Sequence, residues 1–418
     1  MLSRIIFGLL LCIIAITPLP YGTIEPWWKA VFICSVFAVC ILAVIEIAIT
    51  NSIRFNPSSP LLPLVALSAF AFLQAWLNIS ADAFQTRFFA LQLLALGAFL
   101  ALLYRYAATG PRVRVLIFVI LGVALVSAIF GTLRQTTQRE VGFVLPLLRP
   151  KQGFAQFINK NHFAFLMEMA FGLVVGLVIG ERSRQSLIYL AFVSPLWIGL
   201  VLSNSRGGIL AMLVQVVIAA LLLTKQLALR AVLVIALVVG VSIGTLWVGG
   251  DRLVNNFEAA SSEVSASSTT AREGASRNEI WRATLKLFAA HPILGAGIGG
   301  YWIAITAYHD ASGTLTPQEA HNDYLELLAS GGVVGFALGV WFVVSVVRLL
   351  RRNLWSNTGF VRAVRVGAIL GLAGVAVHSL VDFGLHLMGN AVVFLTLIMM
   401  ATATIESRKV VDLNLQEQ

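Results

Sequence analysis

Hydrophobic residues fill this chain in long blocks, roughly 4–20, 27–49, 60–79, 87–106, 113–131, 162–180, 185–203, 207–224, 228–248, 323–350, 362–382 and 390–405. About 20 apolar residues cross a bilayer as a helix, so the pattern predicts an all-α polytopic membrane protein with about twelve transmembrane helices. The whole chain, 1–418, is read as one integral domain, and an even count puts both termini on one side. The first block resembles a signal peptide, but PLPYGTIEPWW follows it with no small-x-small cleavage site, so it is read as an uncleaved span. Two polar passages break the pattern: a smaller loop at 132–161 and a large one at 249–322. The large loop opens rich in Ser and Thr and then changes to helical periodicity, with Ile280, Trp281, Leu285 and Phe288 on one face. Ser276 and Glu279 form a capping-box signature and Pro292 lies just beyond, which predicts an amphipathic helix near 277–290.

Composition narrows the class. The chain is 59% hydrophobic and only 11% charged, with a mean hydropathy of +0.89, whereas a soluble domain carries about 25% charged residues. In a soluble protein the net charge of +10 would point to nucleic acid. In a membrane protein the positive-inside bias accounts for it, and no nucleic-acid partner is expected. Cys12, Cys34 and Cys40 all lie in apolar blocks, which gives neither a disulfide framework nor a metal spacing.

The cations choose the orientation. With both termini in the cytoplasm, the inner connections hold sixteen Lys and Arg and the short outer ones hold three: Lys29, Arg87 and Arg206. Short loops decide orientation, so cytoplasmic termini are expected. The other ten cations divide equally between the two long outer loops. They read either as solvated loop charges or, for some, as a hold on a phosphate or pyrophosphate at the outer face.

Candidate chemistry gathers at that face. His162, His291, His321, His378 and His386 fall at or near it, and His309 lies in the loop itself. Asp382 follows His378 by four residues, the spacing of one helix face, and Glu168 lies about one and a half turns below His162. Arg206 stands in the tight SNSRGG turn, where the two glycines leave its fork uncovered toward an oxyanion; the alternative is a snorkelling Arg at a helix start. The turn with Gly295, Gly297, Gly299 and Gly300 either cradles phosphate through backbone N–H groups or serves packing. His321, with Glu319 and Asn322 beside it, is the candidate general base, against a structural role. No zinc spacing, Walker-type loop or serine elbow is present, and no metal or other cofactor is expected.

Taken together, these residues resemble the bacterial O-antigen ligase and polymerase superfamily, membrane glycosyltransferases of the GT-C type. The resemblance covers most of the chain. It rests on the span count, the large outer loop before the tenth span, the SRGG turn, the Arg opening the loop helix, the P-x-x-G-x-G run from Pro292, and EAHNDYLELLASGG. NKNHFA from Asn159 and HSLVDFGLH from His378 are similar to the family's ligase-related members, and His321 is followed after ten residues by Gly332. The family's Arg-x-x-x-Leu is met loosely, with Trp281 in the last place, which leaves Arg277 and Arg282 as alternatives.

The resemblance implies a bacterial inner-membrane enzyme with its site facing the periplasm. It would move a glycan from a polyprenyl pyrophosphate to an acceptor hydroxyl, without a metal and with inversion. Arg206 and Arg277 or Arg282 would bind the pyrophosphate and His321 would act as base, with Lys160, His162, Asn322, Asp382 and His386 as possible lining. The acceptor would be lipid A–core for a ligase, or a second lipid-linked glycan for a polymerase. A lipid-linked glycan transporter is the reading from a different class; it would place polar groups near the midplane on broken helices.

Overall fold

The computed structural model describes residues 1–51, 60–137, 153–180, 185–223, 277–309, 317–353 and 359–405. The apolar block at 228–248 and the Ser/Thr-rich start of the large loop lie outside these residues, as does Ser276 of the expected capping box. The described chain is helical, with no strand. In order the helices are α1 (Leu2–Ile16), α2 (Pro26–Thr50), α3 (Leu61–Trp76), α4 (Ala83–Tyr106), α5 (Gly110–Thr137), α6 (Lys160–Gly180), α7 (Gln185–Ser203) and α8 (Arg206–Leu223). They continue with α9 (Arg277–Ala290), α10 (Asp323–Asn353), α11 (Phe360–His378) and α12 (Met388–Thr402). Seven of them, α2, α4, α5, α6, α7, α10 and α11, are long and apolar enough to cross a membrane. The four remaining apolar helices, α1, α3, α8 and α12, are shorter. Each of these falls on an apolar block of the sequence.

The centre of the bundle is the seam between α6 and α11. Gly172 and Gly176 face Gly371 and Gly367 so closely that a Cβ on Gly172 would lie 2.3 Å from the Gly371 nitrogen. One on Gly176 would lie 2.2 Å from the Gly367 nitrogen. Small residues allow this approach, and it matters in a bilayer, where lipid tails remove the hydrophobic drive for helices to associate. α12 threads the same core, almost wholly buried, and Asn390 near its start donates to the His162 carbonyl at 3.0 Å. In contrast α10 leaves Val333, Val340, Trp341 and Val343 exposed, an apolar surface suited to lipid.

The loop helix α9 spans the predicted residues, but its inward face is Ile280, Ala283, Thr284 and Leu287, and Leu285 is 48% exposed. The chain after it docks on a break in α10. Gly332 there has φ +61°, and a Cβ would meet the Ile293 carbonyl oxygen at 2.3 Å, so glycine is required. The break lets Val333 N–H donate to Pro292 O (2.9 Å), while Ala296 N–H and Gly297 N–H donate to Ala329 O (3.0 Å) and Ser330 O (2.9 Å). Buried Gln74 of α3 closes the joint, donating to Ser330 O at 3.0 Å and accepting from Ile298 N–H at 3.1 Å. Gly295 and Gly300 N–H groups are likewise bonded to backbone carbonyls. The glycine turn therefore serves packing: these donors are spent on the protein and do not form a phosphate cradle.

Cations collect at the opposite end of the bundle. Arg105 pairs with Glu46 at 2.9 Å, Arg112 reaches Ser3, Arg114 lies over the Phe360 ring at 4.2 Å, and Arg365 donates to Ala403 O at 2.8 Å.

Candidate active site

The beginnings of α6, α8, α9 and α10 meet the end of α11 at one end of the bundle, and Asp382 stands where they converge. α11 stops at His378, whose carbonyl accepts from Val381 N–H (2.9 Å) and Asp382 N–H (3.1 Å). The chain turns there, so Asp382 does not continue the His378 face as its four-residue spacing predicted. Its carboxylate is 0% exposed and faces four partners: Arg277 Nη2 at 3.7 Å, His321 Nδ1 at 3.6 Å, His162 Nε2 at 4.0 Å, and the Asn161 amide, which donates to Oδ2. Its other oxygen accepts from Phe383 N–H at 2.9 Å. Burial acts to raise this carboxyl, but His321, His162 and the Phe383 N–H outweigh it and hold the group below the ordinary carboxylate range. It is therefore a fixed negative charge at neutral pH.

His321 is set by backbone geometry. It has φ +50°, just ahead of α10, and its ring is 33% exposed, edge-on to Phe383 at 4.9 Å. With Nδ1 toward Asp382, Nε2 is the nitrogen left for a substrate. At 3.6 Å the pair is a charge contact somewhat longer than a hydrogen bond, a common feature of sites without substrate. Asn322 caps α10: its Oδ1 accepts from Tyr324 and Leu325 N–H at 3.0 Å, and its Nδ2 ties to Leu380 O at 2.8 Å. Its part is to hold the His321 turn.

The cations stand on the same side. Lys160, at the start of α6, lies close enough to Arg206 and Arg277 for both charges to act on it. Arg277 reaches Asp382, whereas Arg282 is exposed on another face of α9. The Arg206 turn is joined to Asp382 through Asn161. Ser205 Oγ donates to Asn161 Oδ1 at 2.9 Å and accepts from Gly208 N–H at 3.3 Å. Trp281 holds the loop helix to the same centre by donating to Ala320 O at 3.0 Å. The arrangement offers a cationic side for a polyanion, a half-exposed imidazole, and a buried carboxylate connecting them.

His386 lies apart from this group. It faces Glu319 Oε2 at 3.3 Å, Asp323 Oδ1 at 3.5 Å and Glu326 Oε1 at 3.7 Å. The sequence sets Glu319 beside His321, but the fold gives Glu319 to His386. Glu319, Glu326 and His386 each place one ligand atom within 4.8 Å of the others, a spacing that could hold a metal ion and that sequence distance concealed. Burial would lower the His386 pKa, but Glu326, Glu319 and Asp323 push it up to about 10, so the imidazole carries the proton a metal would have to displace. A raised folded value means that this pairing stabilises the protein fully below the unfolded value of about 6.5 and is lost as pH rises through about 10. The thermal midpoint of detergent-solubilised protein should fall by roughly a few degrees between pH 7 and pH 10, and by less in His386→Gln. Parallel pH curves for the two proteins would refute this.

The structure brings the candidates Arg206, Arg277, Lys160, His162, His321 and Asp382 to one end of the bundle, together with Asn161, which stands inside NKNHFA and which the sequence reading did not single out. Glu168 turns to His378 and not to His162. Residues 190–340 match the family model described as O-antigen ligase, a stretch that holds Arg206, Arg277 and His321 but stops short of Asp382. No curated protein matches the chain.

Proposed function

We propose that this chain, which belongs to the O-antigen ligase and polymerase superfamily through its domain at residues 190–340, transfers a glycan from a polyprenyl pyrophosphate to an acceptor hydroxyl. One observation carries the reading: the buried Asp382 carboxylate gathers His321 and Arg277 directly and the Arg206 turn through Asn161. His321 Nε2 takes the proton from the acceptor hydroxyl as that oxygen attacks the anomeric carbon. The bond from that carbon to the pyrophosphate oxygen breaks, and the pyrophosphate leaves with the bonding pair. Arg206 and Arg277, with Lys160 beside them, neutralise the charge that grows on it. A single displacement inverts the anomeric centre. Asp382 holds Nδ1 and stabilises the imidazolium as it forms. Two arginines and a lysine on the leaving group do the work that a divalent cation does elsewhere, so the reaction is metal-independent.

The site end faces the periplasm and both termini the cytoplasm, in a bacterial inner membrane with about twelve spans. The cation-rich opposite end, with Arg105, Arg112, Arg114 and Arg365, supports this orientation. The acceptor is lipid A–core if the protein is a ligase, and a second lipid-linked glycan if it is a polymerase.

The test is transfer by wild-type membranes supplied with polyprenyl-pyrophosphate glycan, with and without EDTA. Glycan on a new acceptor identifies a ligase and a longer lipid-linked chain a polymerase, at rates within about twofold in both buffers. A rate that collapses in EDTA and returns with added metal, and that falls equally in Glu319→Gln, would make the His386 cluster a metal site and end the metal-independent reading. Movement of lipid-linked glycan between leaflets with no transfer would favour a transporter.

A further inference from the structure

Two charged-type side chains are buried beneath the site with no part in the chemistry above. Glu168, in α6, is 0% exposed and His378, ending α11, is 1% exposed; Glu168 Oε2 lies 3.0 Å from His378 Nδ1. Phe165 stacks on the imidazole with ring centroids 4.1 Å apart and planes within 11°. A pair like this is costly inside an apolar bundle, and a well-packed apolar replacement is often as stable, so stability is a weak reason for its presence.

Its neighbours give a better one. The far edge of the His378 ring abuts the Arg206 turn: a Cβ on Gly207 would lie 2.5 Å from both Cδ2 and Nε2 of His378. Only glycine lets α8 begin flat against the imidazole. The backbone carbonyl of His378 accepts from Val381 and Asp382 N–H, so the same residue fixes the turn that aims the Asp382 carboxylate. The next carbonyls, of Ser379 and Leu380, accept from Asp323 N–H (3.0 Å) and from the Asn322 side chain (2.8 Å), which holds the His321 turn. One residue thus borders the candidate phosphate-binding arginine, the orienting carboxylate and the base.

We infer that the Glu168–His378 pair is a positioning device for glycan transfer, locking the imidazole orientation against which the Arg206 turn and the Asp382–His321 pair are registered. This rests on the transfer reading, and neither residue touches substrate. The hydrogen bond to Glu168 fixes which way the ring points. Without it the ring can turn within its slot beside Phe165, and the two halves of the site lose their common reference. Misplacement of reacting groups by about 1 Å can cost on the order of 10²-fold in rate.

The test compares Glu168→Gln, Glu168→Leu and Gly207→Ala with wild type. It reads kcat and donor KM per folded molecule, and amide hydrogen exchange at Gly208, Asp323 and Asp382. Glu168→Gln keeps an oxygen that accepts from Nδ1–H and should hold kcat within about threefold. Glu168→Leu keeps the volume but removes the acceptor; Gly207→Ala keeps the pair and wedges the contact. Both should lower kcat by about tenfold or more, with donor KM within about twofold in Glu168→Leu and raised in Gly207→Ala, which displaces the Arg206 turn itself, while exchange quickens at all three amides. If Glu168→Leu transfers per folded molecule as wild type does and exchange is unchanged, the pair is merely structural and the inference is overturned. If wild type moves no glycan yet the three amides still loosen together, the positioning stands and the transfer reading falls.

Discussion

Replacing His321 with alanine is expected to lower glycan transfer by about 10²–10⁴, the span that general acid–base catalysis supplies. The ring is 33% exposed, and no other described hydrogen bond depends on it, so the variant should insert and fold as wild type does. The loss should fall on kcat, because the imidazole meets the acceptor proton only as the new bond forms. Transfer is measured in membranes with saturating lipid-linked donor, alongside the membrane level of the variant. Wild-type turnover at equal membrane level would remove His321 from the mechanism and leave the arginines to act on an unassisted hydroxyl.

Asp382→Asn should be nearly as damaging, by about 10²–10⁴ in kcat, for a different reason. The amide has the same shape but no charge to stabilise an imidazolium at His321, and it can present an N–H toward a nitrogen that must itself donate. Arg277 loses its counter-charge in the same change, which frees it to bind pyrophosphate, so donor KM should stay level or fall. The expected signature is therefore a collapse of kcat without a rise in KM, read from initial rates across donor concentration. Equal rises in KM for Asp382→Asn and Arg277→Ala would show instead that the carboxylate serves only to place the arginine.

The helices were legible because each apolar block in the described chain has one use at its length. The extent of α9 was legible, since polar flanks and Pro292 confine it, but its inward face was not: Ala283, Thr284 and Leu287 pack inward with Ile280 while Leu285 is exposed. That Arg206, Arg277 and His321 share one end of the bundle was legible because each stands beside a turn or helix start. What was hidden is which carboxylate serves which histidine. Glu319 is two residues from His321, but it lies on the near side of the Ala320 turn and joins His386; Asp382, 61 residues further on than His321, takes its place. Spacing arguments assume that an element continues, and α11 stops at His378, so the helical offset to Asp382 lost its meaning. Asn322 was read as lining because polar residues near a candidate base invite that reading. Its two capping bonds show a local backbone need that sequence alone does not distinguish from chemistry.

The glycine seam between α6 and α11 has a mechanical consequence. At these four glycines backbone meets backbone with no side chain between, so sliding or separating the two helices there would break close packing. Rocking of one half against another, as alternating access requires, would have to open this close backbone joint or leave both helices on the same moving part. A fixed frame suits a machine whose substrates come to it along the membrane and whose chemistry needs two ends of one pocket held at a constant gauge.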